Sequence, residues 1–130
     1  MTRTLVWVPD NVVLAIHEAH LAEHGGIAGI RDGGLLSSAL ARPLNLDAYG
    51  EKPNAASLAA AYSFGIARNH PFLDGNKRTA FVVLELFLNL NAWILSADDA
   101  DCISTMLALA SGDLSENLLA DWLRKHIERG

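Results

Sequence analysis

A chain of 130 residues holds one domain with a real core and is too short for two of ordinary size. About half of it is hydrophobic (51%), leucine and alanine dominate and β-branched runs are sparse, which together predict an all-α fold and a single domain over residues 1–130. The formal charge of −5 argues against a phosphate-tracking nucleic-acid surface, and a lone cysteine, Cys102, excludes an internal disulfide framework and suits a reducing, cytoplasmic setting.

Residues 1–9 lack the apolar stretch and small-residue cleavage site of a secretory leader. Residues 5–8 read as a short extended lead-in, and Pro9 suits the first position of a helix whose face is Val12, Val13, Ile16 and Ala19 and whose end is near His24, before Gly25 and Gly26. Residues 25–34 are loop-like. A second, short helix is expected over 35–42, stopping at Pro43, with 44–53 an exposed irregular connection. Asn54 then caps an alanine-rich helix to about Asn69.

The next helix, about residues 77–91, carries Phe81, Val82, Val83, Leu84, Leu86, Phe87, Leu88 and Leu90, apolar on nearly every face, as a buried central helix is. No membrane span is expected: the most apolar run, 80–95, is broken by Glu85, Asn89 and Asn91 and falls short of about 20 residues. Trp93, Ile94 and Leu95 suit a short extended piece. Asp98 or Ser96 is placed to cap a fifth helix to about Ala110, and Ser115 a sixth to about Arg129. The expectation is a six-helix bundle around the helix at 77–91, with no repeat and no linker.

The chemistry concentrates in residues 70–78, His70-Pro71-Phe72-Leu73-Asp74-Gly75-Asn76-Lys77-Arg78. Between Arg78 and Arg124 there is no lysine or arginine, although seven aspartates and glutamates, from Glu85 to Asp121, fall in that interval. Asn76, Lys77 and Arg78 come at a helix N-terminus, where the macrodipole makes each cation unfavourable by roughly 0.3 to 1 kcal/mol unless an anion offsets it. Free backbone N–H groups, Gly75 for close approach and two cations describe a phosphate cradle. His70 is the side chain suited to take a proton from a hydroxyl near neutral pH, and Asp74 is placed to ligate Mg²⁺ alongside polyphosphate. A base, Mg²⁺ and a phosphate cradle together serve transfer of a phosphorus-containing group to a hydroxyl.

This string resembles the Fic superfamily signature HPFxxGNGRxxR, matched by His70, Pro71, Phe72, Gly75, Asn76 and Arg78, and Asn76-Lys77-Arg78-Thr79-Ala80 is closer still to its Doc (death on curing) branch. The resemblance implies a small all-helical toxin of this size, and the Gly25-Gly26 ending of the first helix and Arg68 also look Doc-like. Two departures from the Fic pattern bear on mechanism: Lys77 replaces a glycine that helps seat nucleotide phosphates, and Phe81 replaces the second arginine. The Doc resemblance implies a kinase that binds ATP in the reverse sense and moves its γ-phosphate to a threonine of elongation factor Tu. On that reading His70 is the base, Asp74 holds Mg²⁺ or orients the base, Gly75, Asn76, Lys77 and Arg78 hold ATP phosphates, and Arg68 is a further candidate for phosphate or target contact. The inhibitory pattern [S/T]xxxE[G/N] of many Fic proteins is absent, since Gly112 precedes Glu116-Asn117. Restraint is then expected from a Phd-type antitoxin whose C-terminal segment folds onto the toxin.

Competing readings are an AMP transferase, a Fic-fold binding protein without catalysis, and, more distantly, a metal-dependent hydrolase. His17, His20 and His24 share one helical face, as a zinc site needs, but no cysteine accompanies them; a partly exposed polar face is the simpler expectation. Trp7, Trp93 and Trp122 read as core or interface anchors and Cys102 as inert. The basic group Arg124, Lys125 and Arg129 reads as a favourable helix C-terminus.

Overall fold

The computed structural model describes residues 4–50 and 54–130, and the expected connection at 44–53 lies partly outside them. Six helices, α1 (Asp10–His24), α2 (Gly33–Tyr49), α3 (Ala55–Asn69), α4 (Asn76–Leu90), α5 (Asp99–Ser111) and α6 (Glu116–His126), are joined by two short strands, β1 (Trp93–Leu95) and β2 (Ile127–Arg129). The fold is all-α, as composition indicates. Among the described residues no helix is long and apolar enough to cross a membrane.

Local chemistry sets most helix starts. The side chains of Asp32, Asn54, Asp98 and Ser115 each accept from a backbone N–H three residues on, the N-cap bond that satisfies an otherwise orphan donor. The lead-in is extended and tied down: Asn91 accepts from the Val6 N–H at 2.9 Å and donates to the Val6 carbonyl at 2.9 Å.

Both interior helices are α3 and α4. On α4 Thr79, Ala80, Val83, Leu84, Phe87 and Leu88 are buried, while Phe81, Val82 and Leu86 are half-buried and Leu90 is exposed. The enclosure of α3 goes further, with every residue from Leu58 to Ser63 and from Gly65 to Ala67 buried. Its small side chains permit that closeness. A Cβ on Gly65 would stand 3.0 Å from both the Cα and the carbonyl oxygen of Ala39 on α2.

Pro9 is the N-cap of α1 and not its first residue, α2 begins two residues early at Gly33, and two further boundaries differ more widely from the sequence reading. Pro43 does not end α2, which runs on to Tyr49. Proline's fixed φ suits a helix, and its penalty is the bond it cannot give the Ala39 carbonyl. Here Pro43 is buried, and Leu36 and Leu40 before it and Leu46 after it pack on the same core, so burial outweighs one missing N–H. At the other end α6 stops at His126, not Arg129. Ser96 donates to the His126 carbonyl from both its backbone N–H (2.7 Å) and its hydroxyl (2.8 Å), and Ile127–Arg129 pairs antiparallel with β1. Arg129 therefore does not cap a helix; its guanidinium lies 4.3 Å above the Trp93 ring.

Candidate active site

The turn between α3 and α4 is held from outside itself. His70 is the C-cap of α3 and adopts left-handed geometry (φ 48, ψ 56), and Gly75 is the N-cap of α4 with φ 76. Facing them, residues 29–32 run alongside as a strap: Leu73 N–H donates to the Gly29 carbonyl (3.1 Å), Ile30 bridges Phe72, and the N–H groups of Arg31 and Asp32 both reach the Pro71 carbonyl (2.7 and 3.1 Å).

Phe72 anchors the turn in the core at 1% exposure, with the ring of buried His17 stacked on it at 3.8 Å. The other side of His17 is engaged as well, Nε2 lying 2.8 Å from the Asp74 carbonyl oxygen. His17 is thus a buried brace, not part of an exposed polar face. His20 packs on Gly75, where a Cβ would meet its ring at 2.8 Å, and His24 lies 4.9 Å from His20. Among the described residues no cluster of three or more metal-ligating side chains occurs, so the three histidines do not assemble a zinc site.

Burial, His24, Arg78 and His17, in that order, pull His20 below the ordinary histidine value, with Asp74 acting in the opposite sense. Its Nδ1 is buried and has no hydrogen-bond partner among the described residues. That nitrogen is the natural place for the lone pair of a neutral ring, since an unpaired buried N–H is the costlier alternative.

Asn76 has both ends of its side chain committed. Its carbonyl oxygen accepts from the Phe72 N–H at 3.0 Å and its amide donates to the Phe72 carbonyl at 2.9 Å. The side chain therefore closes the turn, and what Asn76 offers an anion is its backbone N–H in the first turn of α4. With Lys77 and Arg78 it supplies the N–H groups that have no acceptor within the helix. Lys77 and Arg78 are exposed, and among the described residues neither pairs with a carboxylate.

Asp74 is exposed, and its two oxygens accept one backbone N–H each, from Gly75 (3.0 Å) and Ile27 (3.3 Å). A carboxylate offers about four acceptor sites, so Asp74 keeps capacity for a cation. Mg²⁺ held by one carboxylate and phosphate oxygens fits this donor set.

These groups line one end of a cleft of about 820 Å³. His20, His70, Asp74, Lys77 and Arg78 form the polar end; Phe81, Leu95, Cys102, Ile103, Met106 and Leu107 form an apolar wall, with Glu85 and Asp99 among them. Burial raises the Cys102 thiol above its ordinary value, aided by the nearby carboxylates, which favours the unreactive protonated form.

Of the sequence-derived site residues, His70, Asp74, Gly75, Asn76, Lys77 and Arg78 converge on this cleft and Arg68 does not. The Arg68 guanidinium lies beside Gly112 at the C-terminal end of α5 and over the Phe64 ring, where helix carbonyls attract it. Sequence reasoning missed His17 and Arg31, whose contacts with the turn span 57 and 39 residues along the chain.

A family model, that of the Fic/DOC family, matches residues 7–88. Protein kinase doc of Escherichia phage P1 is 32% identical over 113 residues, covering 87% of this chain and 89% of the relative. Toxin Doc of Mycolicibacterium smegmatis is 45% identical over 78 residues, 57% of this chain and 58% of the relative.

Proposed function

Because this chain belongs to the Fic/DOC family, we propose that it is a Doc-like toxin kinase that moves the γ-phosphate of ATP to a protein hydroxyl. One observation carries the choice of phosphate transfer: Lys77, with no carboxylate partner among the described residues, stands beside Arg78 at the positive end of α4. There it supplies charge and also fills space that a glycine leaves for the nucleotide's inner phosphates. The phage P1 relative is named a protein kinase, which supports this reading.

In the proposed reaction His70 takes the proton of the target hydroxyl, the freed oxygen attacks the γ-phosphorus, and the bond from γ-phosphorus to the bridging oxygen breaks to release ADP. The N–H groups of Asn76, Lys77 and Arg78 and the two cationic side chains hold the phosphates in line and offset their charge. Asp74 would hold Mg²⁺, which when bound shields the charge that develops on the transferred group. Gly75 gives α4 its left-handed start and leaves room for His20. The target we propose is a threonine of elongation factor Tu, with arrest of translation in the cytoplasm as the outcome. Restraint is assigned to a Phd-type antitoxin. Ile103 and Leu107, 61% and 52% exposed on the apolar wall, suit cover by a segment that folds on binding.

The test is incubation with elongation factor Tu and with cell extract, using ATP labelled at the α or the γ position. Transfer from γ alone, abolished in His70→Ala, supports the kinase. Transfer from α makes the protein an AMP transferase, and no transfer from either, with His70→Ala indistinguishable, leaves a binding protein.

A further inference from the structure

The left-handed geometry of His70 raises a question that the phosphate cradle does not answer: what keeps an exposed residue, at the end of a helix, in a conformation that side chains with a Cβ rarely adopt? The last carbonyls of α3 have no partner within the helix. Where a helix ends in a left-handed residue that residue is usually glycine, and here a histidine occupies the position.

We infer that Arg31 is the positioning residue for His70, a clamp that fixes the base by holding the backbone on which it stands. This rests on the reading of His70 as the base. Arg31 Nε donates to the His70 carbonyl at 2.6 Å and its Nη2 to the Asn69 carbonyl at 2.7 Å, so one planar fork spans both carbonyls. Its own backbone N–H takes the Pro71 carbonyl at 2.7 Å. Three consecutive carbonyls thus end on one residue. Among the described residues no carboxylate pairs with Arg31, so its charge faces the negative end of the α3 dipole. Asn69, next to His70, is fixed in turn through its side-chain amide to the Leu35 carbonyl at 3.1 Å.

The loop leading into this strap reaches the other end of the turn, where the Ile27 N–H meets the Asp74 carboxylate. Arg31 therefore sits where it governs the base without touching the cradle: it does not line the cleft, and its contacts stop at residue 71. A lysine carries the charge but not a flat pair of donors at fixed spacing, so the clamp requires the guanidinium.

The experiment compares wild type, Arg31→Ala and Arg31→Lys by three readouts: Cα and Cβ chemical shifts and the HN–Hα coupling of His70, transfer of label from γ-labelled ATP at saturating substrates, and the KM for ATP. Arg31→Ala is expected to lose the left-handed signature at His70 and to lower kcat about 100-fold, the scale of a base misplaced by about 1 Å, with KM for ATP unchanged. Arg31→Lys falls the same way, which separates the fork from mere charge. Methylguanidinium at low concentration restores part of kcat to Arg31→Ala and none to His70→Ala. The inference is overturned if either variant keeps the His70 signature and near wild-type kcat, or if kcat and ATP affinity fall together in a folded protein. Should wild type transfer no label, the kinase reading fails on its own, while the His70 signature still decides whether Arg31 sets that backbone.

Discussion

Outside the cleft the described arginines are all engaged, whereas at its polar end two cations pair with no carboxylate among the described residues. Arg42 pairs with Glu116 and lies 4.8 Å from the Phe64 ring, Arg124 reaches Asp121 and Ser57, and Arg129 covers Trp93. Lys77 and Arg78 have no such partner among the described residues, and they occupy the one end of a helix that repels them. Cations that serve the fold are found with a carboxylate, a ring or a helix C-terminus. On the proposed reading a pair placed against the dipole without any of these is held for a phosphate ligand, and the fold bears a small penalty for it.

That contrast breaks most sharply at Lys77 and Arg78 themselves. If each contributes a charge-assisted contact of about 1.5–3 kcal/mol to a bound phosphate, as the proposed function requires, Lys77→Ala and Arg78→Ala should each weaken binding of ATP, or of tripolyphosphate alone, by roughly ten- to a hundredfold. Stability should move the other way. Removing a cation from the first turn of α4 raises it by about 0.3–1 kcal/mol, measurable by urea unfolding. Loss of stability together with binding would mean that the two side chains serve the fold after all.

Asn76, one residue earlier, should behave as their opposite. Asn76→Ala leaves the buried N–H and carbonyl of Phe72 without partners, at about 1–3 kcal/mol for each group. The expected result is a strongly destabilised protein whose folded fraction still binds tripolyphosphate, because the Asn76 backbone N–H remains. Across the molecule Gly65→Ala forces α2 and α3 apart at Ala39 and should lose about 1–3 kcal/mol, with anion binding by the folded protein unchanged.

The same division marks what was legible in the sequence. Caps at Asn54, Asp98 and Ser115 act within three residues, so local composition reveals them. The placement of Lys77 and Arg78 in the first turn of α4 was legible because a helix start and its cations are contiguous in the chain. Pro43 inside α2 was not, since burial of distant side chains decides whether a proline ends a helix. Nor were the ending of α6 in β2, the direction taken by Arg68, or the engagement of Asn76, each settled by a neighbour that only tertiary structure supplies. His17 and Arg31 carried a faint signal: a histidine on the apolar side of α1, and the only cation in a glycine-rich loop.

His20 yields the smallest expected effect and the subtlest reading of the two unpartnered cations. Arg78 is among the charges that oppose its protonation, behind burial and His24, and only Asp74 favours it. The unfolded chain therefore takes up a proton at His20 before the folded one does, and stability must fall as pH drops below the ordinary histidine value of about 6.5. Above that value both states are neutral at this position and the contribution is complete. In His20→Gln this share of the pH dependence disappears, so the variant should gain on wild type between pH 7 and pH 5.5 in urea unfolding. If wild type gains instead, the Asp74 carboxylate outweighs burial and the cations. Adding tripolyphosphate sharpens the comparison: an anion seated on Lys77 and Arg78 offsets the charge that keeps His20 neutral, and the gap between wild type and variant should narrow.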